Sequence, residues 1–237
     1  MKILLLGYGK MGAIIENMAI ERGHTIAAKI SSKNKSELND LKSSEVDVAI
    51  EFSQPEAAFS NISYCLNNQI PVLSGTTGWL EKREQVETMC REKKGTFFYA
   101  SNFSIGVNLF FKLNEQLAQM MNNFEEYQAE IEETHHVHKK DAPSGTAISL
   151  AEGVIKNVDR LNDWKLDEED TKSLTIKAHR EDEVPGTHSV LYSSEIDDIE
   201  IKHTAHSRAG FAKGAVMVAE WLKDKTGVLS MDDFLKI

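Results

Sequence analysis

Strand-like and helix-like hydrophobic patterns alternate along the first part of the chain. Short apolar runs bounded by turn residues predict strands at 3–6, 25–30, 46–52, 70–73 and 96–99. Apolar positions at helical spacing predict helices at 11–22, 55–67 and 80–93. Repeated strand–helix units favour parallel strands with helices on both faces. We therefore expect an α/β fold here, a Rossmann-type doubly wound parallel sheet.

The pattern changes after Asn102. The spacing predicts a long helix over 105–121, one after Ser144, one over 211–221 and a last turn at 231–235. Strands are predicted near 127–135, 174–178, 188–193 and 198–204. The stretch 159–172 is acidic and polar, which predicts a surface linker. These elements indicate an inserted α+β domain with a mixed or antiparallel sheet.

A glycine-rich string, Gly7-Tyr8-Gly9-Lys10-Met11-Gly12, lies between the first predicted strand and the first predicted helix. A dinucleotide-binding fingerprint occupies this position in a Rossmann fold. Gly7 allows the tight turn, Gly9 lets the backbone approach a pyrophosphate, and Gly12 permits close packing of helix on strand. We expect all six residues to belong to the cofactor site.

The end of the second predicted strand bears on the choice between NADPH and NADH. An NAD-specific fold places Asp or Glu there for the ribose 2′-hydroxyl. The stretch 29–35, Lys-Ile-Ser-Ser-Lys-Asn-Lys, has no carboxylate. Ser31 and Lys33 can instead receive a 2′-phosphate, with Lys35 as the alternative cation. The pattern favours NADPH, and a solvated polar turn is the other interpretation.

Titratable residues are concentrated in the stretch 133–146, Glu-Thr-His-His-Val-His-Lys-Lys-Asp-Ala-Pro-Ser-Gly-Thr. Histidine and lysine can donate or relay protons near neutral pH. The N–H groups of Gly145, Thr146 and Ala147, at the start of a predicted helix, favour an anion. A proton donor beside an anion site predicts catalysis on a carboxylate or phosphate substrate.

Two alternatives to a catalytic loop stay open. One is a solvated loop followed by a simple helix cap. The other is a metal site on His136 and His138, which alternate along an extended segment. No second ligand cluster is evident in the sequence, and a Ser-Gly-Thr turn has no role in a zinc site. We expect no metal.

Composition narrows the class of protein. Of 237 residues, 41 % are apolar and 27 % are charged, which is ordinary for a globular protein. The net charge of −10 argues against non-specific nucleic-acid binding. No run of eighteen apolar residues occurs, so we expect no membrane-spanning helix. Cys65 and Cys90 lack metal-ligand spacing, and we expect reduced thiols in a cytoplasmic protein.

The string His135-His136-x-His138-Lys139-x-Asp141-Ala142-Pro143-Ser144-Gly145-Thr146-Ala147 closely resembles the signature of the 4-hydroxy-tetrahydrodipicolinate reductase (dihydrodipicolinate reductase) family. The resemblance implies reduction of 4-hydroxy-tetrahydrodipicolinate to tetrahydrodipicolinate, with loss of water, in the diaminopimelate route of lysine biosynthesis. It implies that His135 and Lys139 supply or relay the proton. The substrate-binding residues that it implies are His136, Ser144, Gly145, Thr146 and Arg208.

The same resemblance covers the loops after the predicted strands that end near residues 73 and 99. It implies that Gly75, Thr76 and Thr77 contact the nicotinamide ribose. It also implies that Ser101, Asn102 and Phe103 lie near the nicotinamide. The resemblance also implies use of both cofactors, as in many members of that family, so we expect NADPH to be preferred and NADH to be used as well.

The resemblance also divides the chain. It implies a dinucleotide-binding domain at 1–104 and 209–237, and a substrate-binding and oligomerisation domain at 105–208. The segment between Thr187 and Glu200 looks shorter than in typical members, and it belongs to the sheet through which they assemble. A homo-oligomer is expected, with a tetramer favoured over other states.

Two rival classes remain at this stage. One is a Rossmann oxidoreductase that acts on a different small acid, and the other is a non-enzymatic dinucleotide sensor. An enzyme needs both His135 and Lys139 beside its substrate, whereas a sensor does not. Turnover of a substrate that lacks the second carboxylate would favour the first rival.

Overall fold

The computed structural model describes residues 1–168 and 170–236, and the chain divides into two compact units. Unit 1 comprises Met1–Ile105 and Ala209–Ile237, and unit 2 comprises Gly106–Arg208. In the described part of the chain, no helix combines the length and the apolar character that crossing a membrane requires.

Unit 1 is built on a six-stranded sheet. Its strands are β1 (Lys2–Leu6), β2 (Thr25–Ile30), β3 (Val48–Glu51), β4 (Val72–Ser74), β5 (Thr96–Tyr99) and β11 (Gly227–Leu229). They are all parallel and follow the order β11-β5-β4-β3-β1-β2. This sheet confirms the Rossmann-type fold that the alternating pattern predicts.

Helices cover both faces of this sheet. They are α1 (Lys10–Glu21), α2 (Pro55–Asn67), α3 (Arg83–Glu92), α6 (Ala209–Leu222) and α7 (Met231–Leu235), with 3-10 helices at Lys35–Asp40, Ser43–Glu45 and Leu80–Lys82. Ile3 and Leu5 pack on the side of α1 and α6, whereas Leu4 and Leu6 pack on the side of α2 and α3. Because β1 is buried on both faces from residue 3 onward, its sequence is continuously apolar from Ile3 to Leu6.

The direction of winding reverses between β1 and β3. β1 leads into α1 on one face of the sheet, and β3 leads into α2 on the other face. Such a reversal leaves a crevice at the carboxyl ends of the two strands, where doubly wound folds bind ligands. The loops that follow Leu6 and Glu51 are therefore placed at the expected ligand site of unit 1.

Unit 2 combines two helices with a five-stranded sheet. Its elements are α4 (Ile105–Met121), β6 (Gln128–His135), α5 (Gly145–Ile155), β7 (Asp163–Leu166), β8 (Ser173–Arg180), β9 (Thr187–Ser193) and β10 (Asp198–Thr204). The strand order is β10-β9-β6-β8-β7. β8 pairs in parallel with β6 and β7, whereas β9 is antiparallel to β6 and β10. The inserted α+β domain with a mixed sheet is thus confirmed.

One face of this second sheet is covered by α4 and α5. Ile131, Ile176 and Val190 are fully buried against these helices, and each such burial contributes about 1.5–3 kcal/mol. Glu133 and His135 follow Ile131 at two-residue spacing, so they lie on the same covered face at the carboxyl end of β6. The apolar core therefore extends directly into a cluster of ionisable groups.

Two short strands, β7 and β11, are not predicted from the sequence. The predicted surface linker 159–172 is wrong in part, because it contains β7, whose Trp164 and Leu166 pack on the core of unit 2. β11 pairs with β5 and was not predicted. Both lie at a sheet edge and have only four and three residues. Backbone pairing of such short segments leaves little trace in the local hydrophobic pattern.

Some predicted strand and helix boundaries also differ from those in the structure. β3 begins at Val48 rather than at residue 46, and β4 begins at Val72 rather than at residue 70. Pro71, just before β4, has no backbone N–H to donate to a neighbouring strand. Its carbonyl oxygen still accepts the N–H of Ala49 at 2.8 Å. The predicted helix 80–93 divides into the 3-10 turn Leu80–Lys82 and α3.

Candidate active site

The turn after β1 requires glycine at two positions. Gly7 has a φ of +99°, and a Cβ there would lie 2.0 Å from the carbonyl oxygen of Phe52. A Cβ on Gly12 would lie 2.5 Å from the carbonyl oxygen of Gly7. Gly9 differs, because no atom lies within 4 Å of its Cβ position. Two glycines thus allow close backbone packing, and the third leaves room for a ligand.

α1 begins beside this turn without a side-chain cap, and Gly9 is its N-cap residue. Lys10 is exposed and Met11 is half-buried in the first turn. A cavity of about 540 Å³ opens here, and its lining includes Tyr8 and Ser53. The uncapped N–H groups and the helix dipole favour an anion. The residues present therefore fit the pyrophosphate of a dinucleotide.

The cavity continues to the end of β2. Ser31, Ser32 and Lys35 line it, whereas Lys33, which is exposed like Lys35, is absent from the lining that the described residues form. Nζ of Lys35 donates to the Ser60 hydroxyl at 3.3 Å, a contact that a phosphate oxygen can replace. The structure therefore favours Lys35 over Lys33 as the cation that faces the cavity.

The loop after β4 presents backbone and one open side chain. A Cβ on Gly75 would lie 2.3 Å from the ring of Phe52, so a larger residue here would displace that ring. Thr76 is buried, and its hydroxyl donates to the carboxyl group of Glu51 at 3.0 Å. Thr77 is exposed. Of the three residues, Thr77 therefore offers the side chain that a ligand can reach directly.

The loop after β5 is divided between surface and core. Ser101 is exposed, and Asn102 is half-buried with its side-chain oxygen accepting the N–H of Ser104 at 2.8 Å. Phe103 is buried, with its ring centroid 5.7 Å from that of Phe98. Phe103 therefore anchors the loop to the core, whereas Ser101 and Asn102 form its accessible part.

In unit 2, the fully buried Glu133 collects several donors. The N–H of Ser144 lies 3.1 Å from each of its oxygens, and the guanidinium of Arg180 lies 3.1 Å from one of them. Burial raises the pKa of Glu133, but the approach of His188 and the hydrogen bonds from Ser144 outweigh this effect and lower the pKa to about 2. Glu133 therefore carries a buried negative charge at neutral pH.

Arg180 connects this carboxylate to the loop that carries Lys139. Its guanidinium donates to the carbonyl oxygen of Asp141 at 2.6 Å and to that of Lys139 at 3.4 Å. Arg180 is the last residue of β8, where it pairs with His135 of β6. A single side chain thus holds the loop 136–143 against the end of the sheet.

His135 lies beside Glu133, with Nδ1 3.4 Å from the carboxylate oxygen Oε2. Burial is the largest influence on the pKa of His135 and lowers it, whereas Glu133 raises it. His188, Lys139 and Arg180 lower it further, and the resulting pKa is about 4. His135 is consequently a neutral imidazole at pH 7.

Lys139 and the two neighbouring histidines lie further out on the loop. Nζ of Lys139 lies 2.6 Å from Oδ2 of Asp141, and this hydrogen bond lowers the pKa of Asp141. His136 is half-buried, whereas the exposed His138 pairs with Glu183 at 3.1 Å. Of the three, Lys139 and His136 are therefore the residues placed between the buried cluster and solvent.

The start of α5 differs in one detail from the sequence prediction. The Ser144 hydroxyl accepts the N–H of Ala147 at 3.2 Å, so the prediction that this N–H is free for an anion is wrong. Ser144 is 3 % exposed, and its hydroxyl also lies 3.1 Å from Nε2 of His188. The N–H groups of Gly145 and Thr146 have no acceptor among the described residues, and space around Gly145 is open. An anion can therefore approach these two groups.

A possible metal-ligand set coincides with this cluster. Ligand atoms of Glu133, His135 and His188 lie within 4.8 Å of one another. The guanidinium of Arg180 already neutralises Glu133 at 3.1 Å, and a second cation would be repelled by it. The donor set therefore fits a hydrogen-bonded network better than a metal.

Arg208 is the last residue of unit 2 and is exposed. It directly precedes α6, which begins at Ala209. An exposed guanidinium can grip a carboxylate with two parallel hydrogen bonds.

Comparison with known proteins covers nearly the whole chain. The family models "Dihydrodipicolinate reductase, N-terminus" and "Dihydrodipicolinate reductase, C-terminus" match residues 1–103 and 106–235. The chain belongs to the dihydrodipicolinate reductase family. It is 52 % identical over 235 residues to the 4-hydroxy-tetrahydrodipicolinate reductase of Christiangramia forsetii, covering 99 % of this chain and 98 % of that protein.

Two further members of this family agree in sequence or in fold. The 4-hydroxy-tetrahydrodipicolinate reductase of Neisseria gonorrhoeae is 32 % identical over 228 residues, covering 93 % of this chain and 83 % of that protein. A dipicolinate-bound dihydrodipicolinate reductase from Paenisporosarcina sp. TG-14 superposes with a TM-score of 0.83, at 21 % identity and 99 % coverage of both chains. The family resemblance inferred from the histidine-rich string is therefore confirmed.

Sequence reasoning missed the residues that support the loop. Arg180 and His188 lie more than forty positions beyond His135 in the chain and reach it through the pairing of β8 and β9 with β6. Glu133 is part of the stretch 133–146, but the sequence does not show that its side chain is buried. A local motif does not reveal which distant strand will supply its partners.

Proposed function

We propose that this chain catalyses the NAD(P)H-dependent reduction of 4-hydroxy-tetrahydrodipicolinate to tetrahydrodipicolinate, with loss of water, in the diaminopimelate route of lysine biosynthesis. The 52 % identical relative, matched over 98 % of its length, bears the name of that activity. The structural observation that carries the proposal is the pair of Glu133 and His135 at the base of the Lys139 loop, beside the open N-terminus of α5.

The cofactor supplies the hydride, and unit 1 holds it. The uncapped N–H groups of α1 receive the pyrophosphate, while Gly7 and Gly12 keep the turn tight enough for this approach. With the cofactor bound, Gly75 and Thr77 would contact the ribose beside the nicotinamide, and Ser101 and Asn102 would lie near the nicotinamide. Thr76 and Phe103 fix these loops from within.

NADPH is the preferred cofactor in this proposal, and NADH is also accepted. Ser31, Ser32 and Lys35 line the far end of the cavity, where the adenosine ribose of a dinucleotide would lie. Hydroxyl groups and one lysine suit a 2′-phosphate, whereas a carboxylate there would repel it.

Unit 2 binds the two carboxylates of the substrate. The N–H groups of Gly145 and Thr146 receive one carboxylate, because they are open and lie at the positive end of the α5 dipole. His136 and Arg208 supply charged or polar donors from side chains. Ser144, which is also proposed to bind the substrate, shapes this site through its cap and its contact with His188.

The reaction consumes one proton in addition to the hydride. Lys139 donates this proton in the proposal, because its ammonium group lies on the loop above the buried cluster. His135 is neutral in the free protein, since its pKa is about 4. A bound dianion favours the charged imidazole and raises its pKa, so His135 gains a proton when substrate binds and can relay it.

A coupled assay tests the proposal. Pyruvate, aspartate semialdehyde and the synthase that precedes this step generate the substrate, and NADPH absorbance reports its reduction. His135→Ala and Lys139→Ala should each lower turnover by about 100-fold or more, the usual effect of losing a positioned proton donor. His138→Ala, at an exposed neighbour, should stay within about threefold of wild type.

Other outcomes would point elsewhere. NADPH binding without turnover would favour a dinucleotide sensor. Turnover of acids that carry a single carboxylate would favour a different Rossmann oxidoreductase. A folded His135→Ala/Lys139→Ala double variant that retains turnover within about threefold would reject the proton assignment.

We also propose a homo-oligomer, with a tetramer favoured, in the cytoplasm. The sheet face of unit 2 that faces away from α4 and α5 forms a groove of about 720 Å³, lined in part by Gln128, Thr175 and Leu191. Residues 194–197 join β9 to β10 in a short hairpin, which accounts for the brevity of this segment. Both cysteines are buried free thiols, which suits a reducing compartment. Sedimentation equilibrium tests the oligomeric state.

A further inference from the structure

Glu51 ends β3 in the middle of the parallel sheet and is fully buried. Among the residues that the structure describes, no lysine, arginine or histidine forms an ion pair with it. A buried carboxyl group without a cation is costly unless hydrogen bonds replace its hydration. Its partners therefore indicate what the residue is for.

Four donors converge on the two oxygens of this side chain. Oε1 accepts the N–H of Ser53 at 3.2 Å, the hydroxyl of Ser53 and the hydroxyl of Thr76 at 3.0 Å. Oε2 accepts the hydroxyl of Ser74 at 2.7 Å. Ser53 belongs to the loop after β3, and Thr76 belongs to the loop after β4. The carboxyl group therefore joins two loops that follow adjacent strands.

Further hydrogen bonds complete this junction. The N–H of Ser53 also points to the Thr76 hydroxyl oxygen at 2.8 Å, and the Asn61 amide donates to the Ser53 hydroxyl at 3.2 Å. The N–H of Gly75 donates to the carbonyl oxygen of Glu51 at 2.9 Å. Glu51 therefore fixes both the backbone and the side chains of these loops.

The loop after β3 lines the cavity, whereas neither Glu51 nor Thr76 belongs to the lining that the described residues form. Ser53, Gln54 and Asn61 are among the residues that line the cavity, whereas the carboxyl group lies beneath them. We propose that Glu51 is a positioning residue for the nicotinamide cofactor, acting through the Ser53 and Thr76 loops without touching the ligand. The inference rests on the proposed cofactor role of unit 1.

The donors explain why an acceptor is needed at this point. An apolar side chain of similar size would remove the shared acceptor of three hydroxyl groups and would leave the Ser53 N–H with only the Thr76 hydroxyl oxygen. Glutamine differs, because its oxygen can keep the contacts made by Oε1. Its amide nitrogen would then face Ser74, whose hydroxyl can rotate and accept. Glu51→Gln is therefore a conservative variant, whereas Glu51→Leu removes the junction.

Titration of NADPH fluorescence with the pure full-length protein measures cofactor affinity without turnover. Glu51→Leu should raise the Kd of NADPH by at least about tenfold, as expected when buried donors lose their partner. Glu51→Gln should stay within about threefold of wild type. In the coupled assay, the KM of the dicarboxylate substrate should stay within about twofold for both variants, because its proposed ligands lie in unit 2.

Two variants separate positioning from general stability. Ser74→Ala removes one donor to Glu51 at a fully buried position and should raise the Kd of NADPH less than Glu51→Leu does. Thr96→Val removes a buried hydroxyl of β5 that donates to the carbonyl oxygen of Lys225, away from the cavity. It should lower the melting temperature and leave the Kd unchanged. Hydrogen exchange should accelerate at the amides of Ser53 and Gly75 in Glu51→Leu only.

Each of the other possible results would overturn either the proposed function or the inference about Glu51. If wild-type protein does not bind NADPH, both the proposed function and this inference fail. If wild type binds and folded Glu51→Leu binds equally well, the inference fails while the proposed function stands. If Glu51→Leu does not fold, an unchanged Kd in Ser74→Ala overturns the inference. An equal rise of Kd in Thr96→Val would also overturn it, because the effect would then reflect stability alone.

Discussion

Arg180 shows how much the candidate site depends on one side chain at the residue scale. It lies 3.1 Å from the carboxylate of Glu133 and donates to the backbone carbonyl oxygens of Lys139 and Asp141. The arginine guanidinium combines a charge with several N–H donors at fixed angles, so lysine cannot reproduce these contacts. The position of Lys139 therefore depends on a residue that need not touch the substrate.

Arg180→Lys should lower kcat about tenfold, with a smaller change in KM. The reason is that loss of one charge-assisted hydrogen bond to the loop costs about 1.5–3 kcal/mol, and loop order matters most in the transition state. Steady-state kinetics in the coupled assay measures the effect. Arg160→Lys is the matched control, since Arg160 donates to the Tyr127 carbonyl oxygen at 2.5 Å, near the other end of β6. A kcat equal to wild type in Arg180→Lys would contradict the positioning role.

Lys35 provides a second prediction at this scale. Lys35→Ala should lower the ratio of kcat/KM for NADPH to that for NADH by about fivefold, because an exposed lysine near a 2′-phosphate contributes about 1 kcal/mol. Lys33→Ala should leave the ratio unchanged, since Lys33 lies outside the cavity lining. The difference should shrink at high ionic strength. A larger effect from Lys33→Ala than from Lys35→Ala would reverse the assignment.

At the scale of elements, the two proposed anion sites are helix N-termini with different construction. α1 begins at a glycine and has no side-chain cap, whereas α5 is capped by the hydroxyl of Ser144. The cap occupies the N–H of Ala147 and leaves those of Gly145 and Thr146 open. The α5 site therefore offers two backbone donors in a fixed geometry.

Gly145→Pro tests these donors with little disturbance of the helix. Proline is favoured at the first helical position, and Ser144, at φ −68° and ψ 156°, already has the conformation that suits a residue before proline. The variant should keep its melting temperature and raise the substrate KM by about tenfold, because one N–H to a carboxylate is lost. Gly145→Ala keeps the N–H in open space and should leave KM unchanged. Equal KM values for the two variants would remove this N–H from the site.

At the scale of the whole molecule, the buried ionisable cluster links stability to pH. The pKa of His135 is lowered from 6.5 to about 4, so the unfolded chain takes up a proton at a higher pH than the folded protein does. Its contribution to stability is therefore complete above about pH 6.5 and is lost as the pH falls toward 4. The contribution of Glu133 to stability is lost at lower pH, as the pH falls from about 4.5 toward 2, because its pKa is lowered from 4.5 to about 2.

Acid should therefore destabilise the protein in two successive steps. His135→Gln should reduce the loss of unfolding free energy between pH 6.5 and 4 by at most about 3.4 kcal/mol, the value that corresponds to the depressed pKa. Urea unfolding across this range measures the difference. His179→Gln, at an exposed histidine of β8, is the control and should keep the wild-type slope. Identical slopes for all three proteins would show that His135 titrates normally.

Features that depend on local pattern can be predicted from the amino-acid sequence. The continuous apolar run of β1, the glycines that follow it and the helical spacing of α2 and α4 all predict structure from neighbouring residues, and the elements form where expected. The family also follows from the sequence alone, because the histidine-rich string keeps its residue types in consecutive order.

Which side chains come into contact depends instead on the tertiary fold. Parallel pairing of β6 with β8 and antiparallel pairing with β9 bring Arg180 and His188 to Glu133, although these residues are distant in sequence. Adjacent β3 and β4 likewise bring Ser53 and Thr76 to the buried carboxyl group of Glu51. Burial and hydrogen-bond partners arise from strand order and register, which local residue patterns do not encode, and they set the charge of His135 and the rigidity of the loops.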